Sequence, residues 1–313
     1  MPGLYALLLP GIPLCLRYFK NCFDLYTING FRQLTGSLVL LVLAYLYQRK
    51  ALIAAFRNLR QLTAFLLLAA INVVALYVYT VGLFMTSATM SQIICVLMLP
   101  LTVLLAVIFF PDERELTRKK GFWIGMALSL VGMLGISLAS GRISTGNTQG
   151  IIYLLLYVGI AVGFGMIIKR MVESIPVLTL TAVSTFWIGL IYTIFSFIWG
   201  KPANLLHSPV IAGFMLLSGI YGVFVGGGMA YAITKDLGVI IYQFTNLVLP
   251  FVTAILEFLI FRKTLTWPQI AFGVLMVLGC VVILWSSRYG SAPQTRAAST
   301  DKKLQTRDVE YSG

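Results

Sequence analysis

The segment Asn246–Lys263, NLVLPFVTAILEFLIFRK, decides how this chain is read. It is as apolar as a lipid-embedded helix, yet it contains Pro250, which breaks the helical hydrogen-bond ladder, and Glu257, a carboxylate. Both are costly in hydrocarbon unless neighbouring helices or a water-filled cavity take them up. On a helix of about 100° per residue, Gln243, Asn246, Pro250, Thr253 and Glu257 fall within a sector about 80° wide, with Leu, Ile, Val and Phe covering most of the rest. Two readings fit this stripe: a cavity wall, or a polar seam satisfied by packing against other helices. Pro250 also leaves the carbonyl one turn earlier, on Asn246, without its usual donor.

The whole chain carries the same signature. Of 313 residues, 59% are hydrophobic and only 11% charged, with mean hydropathy +0.93. Soluble domains run at about 45–50% apolar and about 25% charged, so the composition predicts a polytopic membrane protein. Four cysteines without CxxC spacing and a single histidine, His207 in a polar loop, predict neither a disulfide frame nor a metal site. No set of catalytic groups assembles, so an enzyme is not expected, nor is a cofactor. The net charge of +13 is spread in short runs between apolar segments, a pattern that orients membrane proteins and does not suggest nucleic acid as a partner.

Ten segments reach or approach the ~20 residues needed to span hydrocarbon: 4–18, 28–47, 62–84, 90–110, 121–138, 151–168, 176–199, 210–233, 239–261 and 268–285. The first is short and contains Pro10 and Pro13; it reads as a first membrane helix rather than a removed signal. Most of the 23 Lys and Arg residues fall on one side, in the loops holding Arg49–Arg60, Arg114–Lys120, Lys169–Arg170 and Lys235 and in the tail. This predicts cytoplasmic termini. The tail after Arg288 is polar, lacks apolar periodicity and is expected to be a disordered cytoplasmic segment, 288–313.

An internal repeat organises the helices. CVLMLPLTVLLAVIFF (95–110) resembles TNLVLPFVTAILEFLIF (245–261), aligning Pro100 with Pro250, and each run is followed by a polar turn and a glycine-containing helix. A repeat unit of five helices is odd, so its two copies lie in opposite orientations. The expectation is an all-α fold of ten transmembrane helices in two inverted five-helix repeats, residues 1–140 and 150–287.

These segments, with FRQLTG entering the second helix, PDERELTRKKGFWIG after the fourth and GIIYLLLYVGIAVGFGMIIKR opening the second half, resemble the drug/metabolite transporter superfamily and its EamA-type members. The resemblance implies ten helices around a central cavity that moves small metabolites by alternating access. It also implies an Arg early in helix two, here Arg32, and a Glu just beyond helices four and nine. Glu113 meets that pattern; Lys263 stands where the second Glu is expected.

The site candidates follow from polarity inside apolar runs. Gln243 and Asn246 on helix nine, Thr89 and Gln92 on helix four, and Asn72 and Tyr79 on helix three are expected to contact substrate. Glu257 is either a proton-coupling carboxylate or a structural partner of Arg262 or Lys263. Pro100 and Pro250, with Gly222 and Gly226 of GIYGVFVGGGMAY (219–231), are candidates for kinks, gates or close helix packing. Tyr157, Tyr221, Tyr231 and Tyr242 offer aromatic walls. Arg17, Lys20 and Arg32 either attract an anionic substrate or anchor helix ends. The expected function is secondary transport, as export or exchange, of small polar or amphipathic metabolites such as amino acids. The expected setting is a bacterial inner membrane, with a proton or counter-substrate as possible coupling partner. A non-transporting membrane scaffold acting through loops and tail is the alternative.

Overall fold

The computed structural model describes residues 2–9, 11–86, 91, 94–95, 97–139, 148–248, 252 and 267–288. Thr89, Gln92, Pro250, Thr253, Glu257, Lys263 and the tail beyond Arg288 lie outside the described residues. Among the described residues there is no strand. The helices are α1 (Pro2–Leu8), α2 (Gly11–Phe19), α3 (Leu25–Arg57), α4 (Leu59–Met85), α5 (Met98–Phe109), α6 (Pro111–Thr117) and α7 (Lys120–Ala139). The second half holds α8 (Thr148–Ser174), α9 (Val177–Trp199), α10 (Asn204–His207), α11 (Pro209–Val223), α12 (Ala230–Leu237), α13 (Val239–Leu247) and α14 (Trp267–Arg288). A π-helical segment, Phe224–Met229, joins α11 to α12.

Five described helical segments are long and apolar enough to cross a membrane: Leu25–Arg57, Leu59–Met85, Thr148–Ser174, Val177–Trp199 and Pro209–Leu237. Three more are apolar but shorter. Large apolar side chains such as Leu46, Leu104 and Phe197 point outward. That arrangement would be costly in water and is favourable in hydrocarbon. The protein is an all-helical integral membrane protein.

Local chemistry sets the helix ends, and three expectations shift. The predicted first span, 4–18, holds the short helices α1 and α2, Pro10 between them lying outside the described residues; the Tyr221 hydroxyl donates to the Leu8 carbonyl at the end of α1. The predicted loop bearing Arg49, Lys50 and Arg57 is instead a continuation of α3. α3 bends at Gln48 (φ −136, ψ 37). There Gln48 Oε1 accepts from Thr179 N–H at 3.2 Å and Thr179 Oγ1 at 2.9 Å, satisfying orphan donors in the first turn of α9. Lys169, expected in a loop, lies inside α8 and is buried. At the start of α3, Asp24 caps the helix by accepting from Thr27 N–H at 2.9 Å, and it also accepts from Lys201 N–H, beyond the end of α9, at 2.9 Å.

The helices pair through glycine-lined contacts. α3 packs against α9 and α11, α7 against α14, α4 against α8, and α5 against α13. A Cβ at Gly125 would come within 2.6 Å of Gly279 O, and one at Gly279 within 2.6 Å of Gly125 O, so these two glycines let α7 and α14 approach backbone to backbone. At the α3–α11 crossing the close contacts are Gly36 and Gly219: a Cβ at Gly36 would lie 2.5 Å from Gly219 O.

Candidate functional site

The packing leaves a cavity of about 290 Å³ bounded by α1, α2, α3, α4, α5, α7, α8, α11 and α13. That is near the lower end of the roughly 300–1,000 Å³ typical of small-molecule pockets. Most of its wall is aliphatic or aromatic, with the polar groups gathered in two clusters. The polar side chains come mainly from α3 and α13, helices far apart in the chain, so the wall exists only after the helices pack.

On one side α13 presents Tyr242, Gln243 and Asn246. Asn246 Nδ2 donates to Gln243 Oε1 at 3.3 Å, which fits side chains three residues apart on one face. Tyr5 from α1, only 1% exposed, completes this group. Its hydroxyl lies 3.2 Å from Asn246 Oδ1 as a donor and 3.5 Å from the Tyr242 hydroxyl. Facing these, Tyr79 of α4 and Tyr157 of α8 pack with ring centroids 4.7 Å apart.

α3 supplies the rest of the polar wall: Asn29, Arg32 and Gln33. Asn29 Nδ2 donates to Thr80 Oγ1 at 3.3 Å. Arg32, 7% exposed, donates through Nε to Ser218 Oγ at 2.9 Å and through Nη2 to Ser218 O at 3.4 Å. Gly222 and Gly226 line the cavity beside it, and a Cβ at Gly222 would come 3.1 Å from Arg32 Nη2. Gly226 belongs to the π segment, where three consecutive glycines offer no side chains to hold regular α-helix.

The structure thus brings together Tyr79, Gln243, Asn246, Gly222 and Gly226 of the sequence candidates, along with Tyr157 and Tyr242. Asn72 does not line the cavity. Pro100 occupies the first turn of α5, is exposed, and is likewise absent from the cavity wall; a proline costs little there because first-turn amides have no intrahelical acceptor. Tyr221 donates to the Leu8 carbonyl at the end of α1 and Tyr231 lies in the core. Lys20 is an anchor: its Nζ donates to Phe84 O at 3.1 Å and sits over the Phe84 ring. Of Arg17's side chain nothing is described. Tyr5, Asn29 and Gln33 are wall residues that sequence reasoning did not single out. Among the described residues no cluster of His, Cys, Asp or Glu is arranged to hold a metal.

A charged cluster stands at the entry to α13. Glu113, 4% exposed, accepts from Val239 N–H at 2.8 Å and lies 3.6 Å from Lys169 Nζ, which pairs with Asp112 at 2.9 Å. Burial pushes the Glu113 carboxyl above its ordinary range, while Lys169 and the Val239 amide pull the other way without cancelling it. Gly238, at φ +93, is the residue that turns the chain here. A Cβ on it would fall on Glu113 Oε1. The cluster holds the helix that carries Tyr242, Gln243 and Asn246, one turn from the first of them.

Comparison with known proteins agrees with this architecture. A crystal structure matches at TM-score 0.65 over 92% of this chain and 96% of its own, at 14% identity, a likeness of fold. A protein of Haemophilus influenzae described as an uncharacterized transporter is 27% identical over 290 residues, covering 90% of this chain and 94% of the relative. Residues 148–285 match the EamA-like transporter family. With helices fit to span a membrane in both halves, the chain is a multi-pass membrane protein whose second half is similar to the EamA-like transporter family.

Proposed function

We propose that the protein is a secondary transporter, an exporter or exchanger, that moves small polar or amphipathic metabolites through the central cavity by alternating access. The observation that carries this reading is the composition of the wall. α1, α2, α3, α4, α5 and α7 come from the first half of the chain, and α8, α11 and α13 from the second, so relative motion of the halves would open and close the same site. The helix pairing supports two inverted five-helix repeats, 1–140 and 150–287. α3 with α9, α5 with α13 and α7 with α14 join corresponding helices of the two halves, as a pseudo-twofold axis in the membrane plane would require. Gln243 and Asn246, with Tyr5 behind them, are the substrate contacts; the π segment and its glycines are the place where α11–α12 can flex. Gln92, Thr89, Glu257 and Pro250 keep the roles expected from sequence, Glu257 being the candidate for proton coupling. The charge pattern supports an inner-membrane setting with both termini cytoplasmic.

The test is flux. Purified protein in liposomes, offered a complex metabolite extract, should accumulate specific solutes, and replacing Gln243 and Asn246 together with Ala should abolish that uptake while leaving the melting temperature within a few degrees. Unchanged uptake by the double variant would remove these residues from the site; absence of any uptake by the wild type would remove the transport reading.

A further inference from the structure

Arg32 is the only charged side chain in the cavity wall among the described residues, and no described carboxylate faces it. Its two hydrogen bonds both go to Ser218, a neutral hydroxyl and a neutral carbonyl. They orient the guanidinium without compensating its charge. A guanidinium has five N–H donors, and Nη1 has no acceptor among the described residues. Lipid headgroups are not its partner either, because the side chain is 7% exposed and lies two turns inside α3. A buried cation without a counter-ion is costly, and inside a membrane protein it persists where something anionic visits.

A second observation points the same way. Gln33 Oε1, in the same wall, is buried and has no hydrogen-bond partner among the described residues. It is an acceptor that lacks a donor. The amide acceptors of α13 are engaged: Asn246 Oδ1 by Tyr5 and Gln243 Oε1 by Asn246. An ammonium group entering this cavity would find aromatic faces but no described carboxylate.

Resting on the transport reading above, we infer that the cavity selects organic monoanions: a carboxylate against Arg32, a hydroxyl or amide N–H near it for Gln33, and an apolar or aromatic body against Tyr79, Tyr157 and Met98. Zwitterionic amino acids of the same size and shape are poor ligands by this chemistry, since their ammonium adds a desolvation cost with no compensating charge.

Three probes with one carbon skeleton separate the possibilities: 3-phenyllactate, its primary amide, and phenylalanine. Binding to the purified full chain is read from thermal stabilisation, and movement from uptake into liposomes. The expected result is that 3-phenyllactate binds at least about tenfold more tightly than either of the other two. Arg32→Gln should weaken it about a hundredfold, as truncating one partner of a buried charge pair does, and Arg32→Lys should recover part of the loss. Gln33→Leu should weaken 3-phenyllactate about tenfold yet leave 3-phenylpropionate, which lacks the hydroxyl, nearly unchanged. Should Arg32→Gln fail to fold, the wild-type preference among the three probes decides alone.

Equal affinity for the amide or for phenylalanine overturns the inference. So does failure of every monocarboxylate from lactate to 3-phenyllactate to bind, the outcome expected if a carboxylate of the chain itself, such as Glu257, neutralises Arg32. Uptake of neutral or zwitterionic solutes without anion uptake would overturn the anion selectivity and leave transport standing. Anion binding without uptake would keep the site and remove transport.

Discussion

Glu113 Oε1 accepts the backbone N–H of Val239, 126 residues away in sequence, at 2.8 Å. Val239 is the first residue of α13, so a carboxylate from beyond α5 caps the helix that carries Tyr242, Gln243 and Asn246. A carboxylate at a helix N-terminus satisfies an orphan amide and meets the positive end of the helix dipole. Lys169 from α8 offsets part of its burial, and three elements meet at one point at the end of the cavity wall.

This junction predicts a pH effect with a definite sign. Burial holds the Glu113 carboxyl above its ordinary value, so the folded protein keeps that proton to higher pH than the unfolded chain does. The resulting stabilisation is complete below the unfolded pKa of about 4.3 and is lost as pH rises through the raised folded value. The melting temperature of wild type relative to Glu113→Gln should therefore fall as pH rises across that window and level off above it. A difference independent of pH would show that Glu113 does not titrate differently in the folded state.

Gly238 should tolerate no side chain. Its φ of +93 is strained for an L residue, and a Cβ there would strike Glu113. Gly238→Ala is expected to cost about 1–3 kcal/mol. Gly159→Ala is the control: a Cβ there meets nothing within 4 Å, and removing a mid-helix glycine is neutral or stabilising by up to about 1 kcal/mol. Thermal unfolding of the two variants in detergent should separate them in that order.

Asp24 predicts the opposite pH sign. Burial pushes its carboxyl up, but hydrogen bonds from the Thr27 hydroxyl, Thr27 N–H and Lys201 N–H outweigh burial and leave it below its ordinary value. Its contribution is present above the unfolded pKa of about 3.9 and lost as pH falls through the lowered folded value. Asp24→Ala should cost about 1 kcal/mol, as for loss of an N-cap, and Asp24→Asn should retain most of it. Equal stability of the Ala and Asn variants would show that the cap contributes nothing.

Tyr5→Phe isolates the hydroxyl that holds Asn246. Removing a hydrogen bond worth about 1 kcal/mol without changing the ring should lower uptake several-fold and leave folding intact. Loss of the Tyr5 effect in an Asn246→Ala background, measured as a double-mutant cycle on uptake, would show that the two side chains act as a unit.

Much of the fold was legible because hydrocarbon demands long apolar runs, and α3, α4, α8, α9 and α11 follow them. Gln243 and Asn246 stood out for the same reason: two amides on one face of an apolar helix are anomalous unless that face is turned inward. Asn72 carried the same signal and does not line the cavity, since a single polar residue does not say which neighbour it meets. Tyr5 gave no signal, because a tyrosine near a membrane helix end is ordinarily an interfacial residue. Glu113 and Lys169 were read as parts of separate charged loops, and their meeting depends on how α6 and α8 approach.

The amino-acid sequence alone determined that the chain belongs in a membrane, where its main apolar helices run, and which face of α13 is polar. These follow from local transfer energies, summed residue by residue along one segment. Tertiary structure decided which polar faces meet. It turned Arg32 into a wall residue of the cavity rather than an anchor, made Gly36 and Gly219 the close contact of α3 with α11, and brought Glu113 to the start of α13. Those outcomes depend on distances between segments far apart in the chain, which helix packing alone sets.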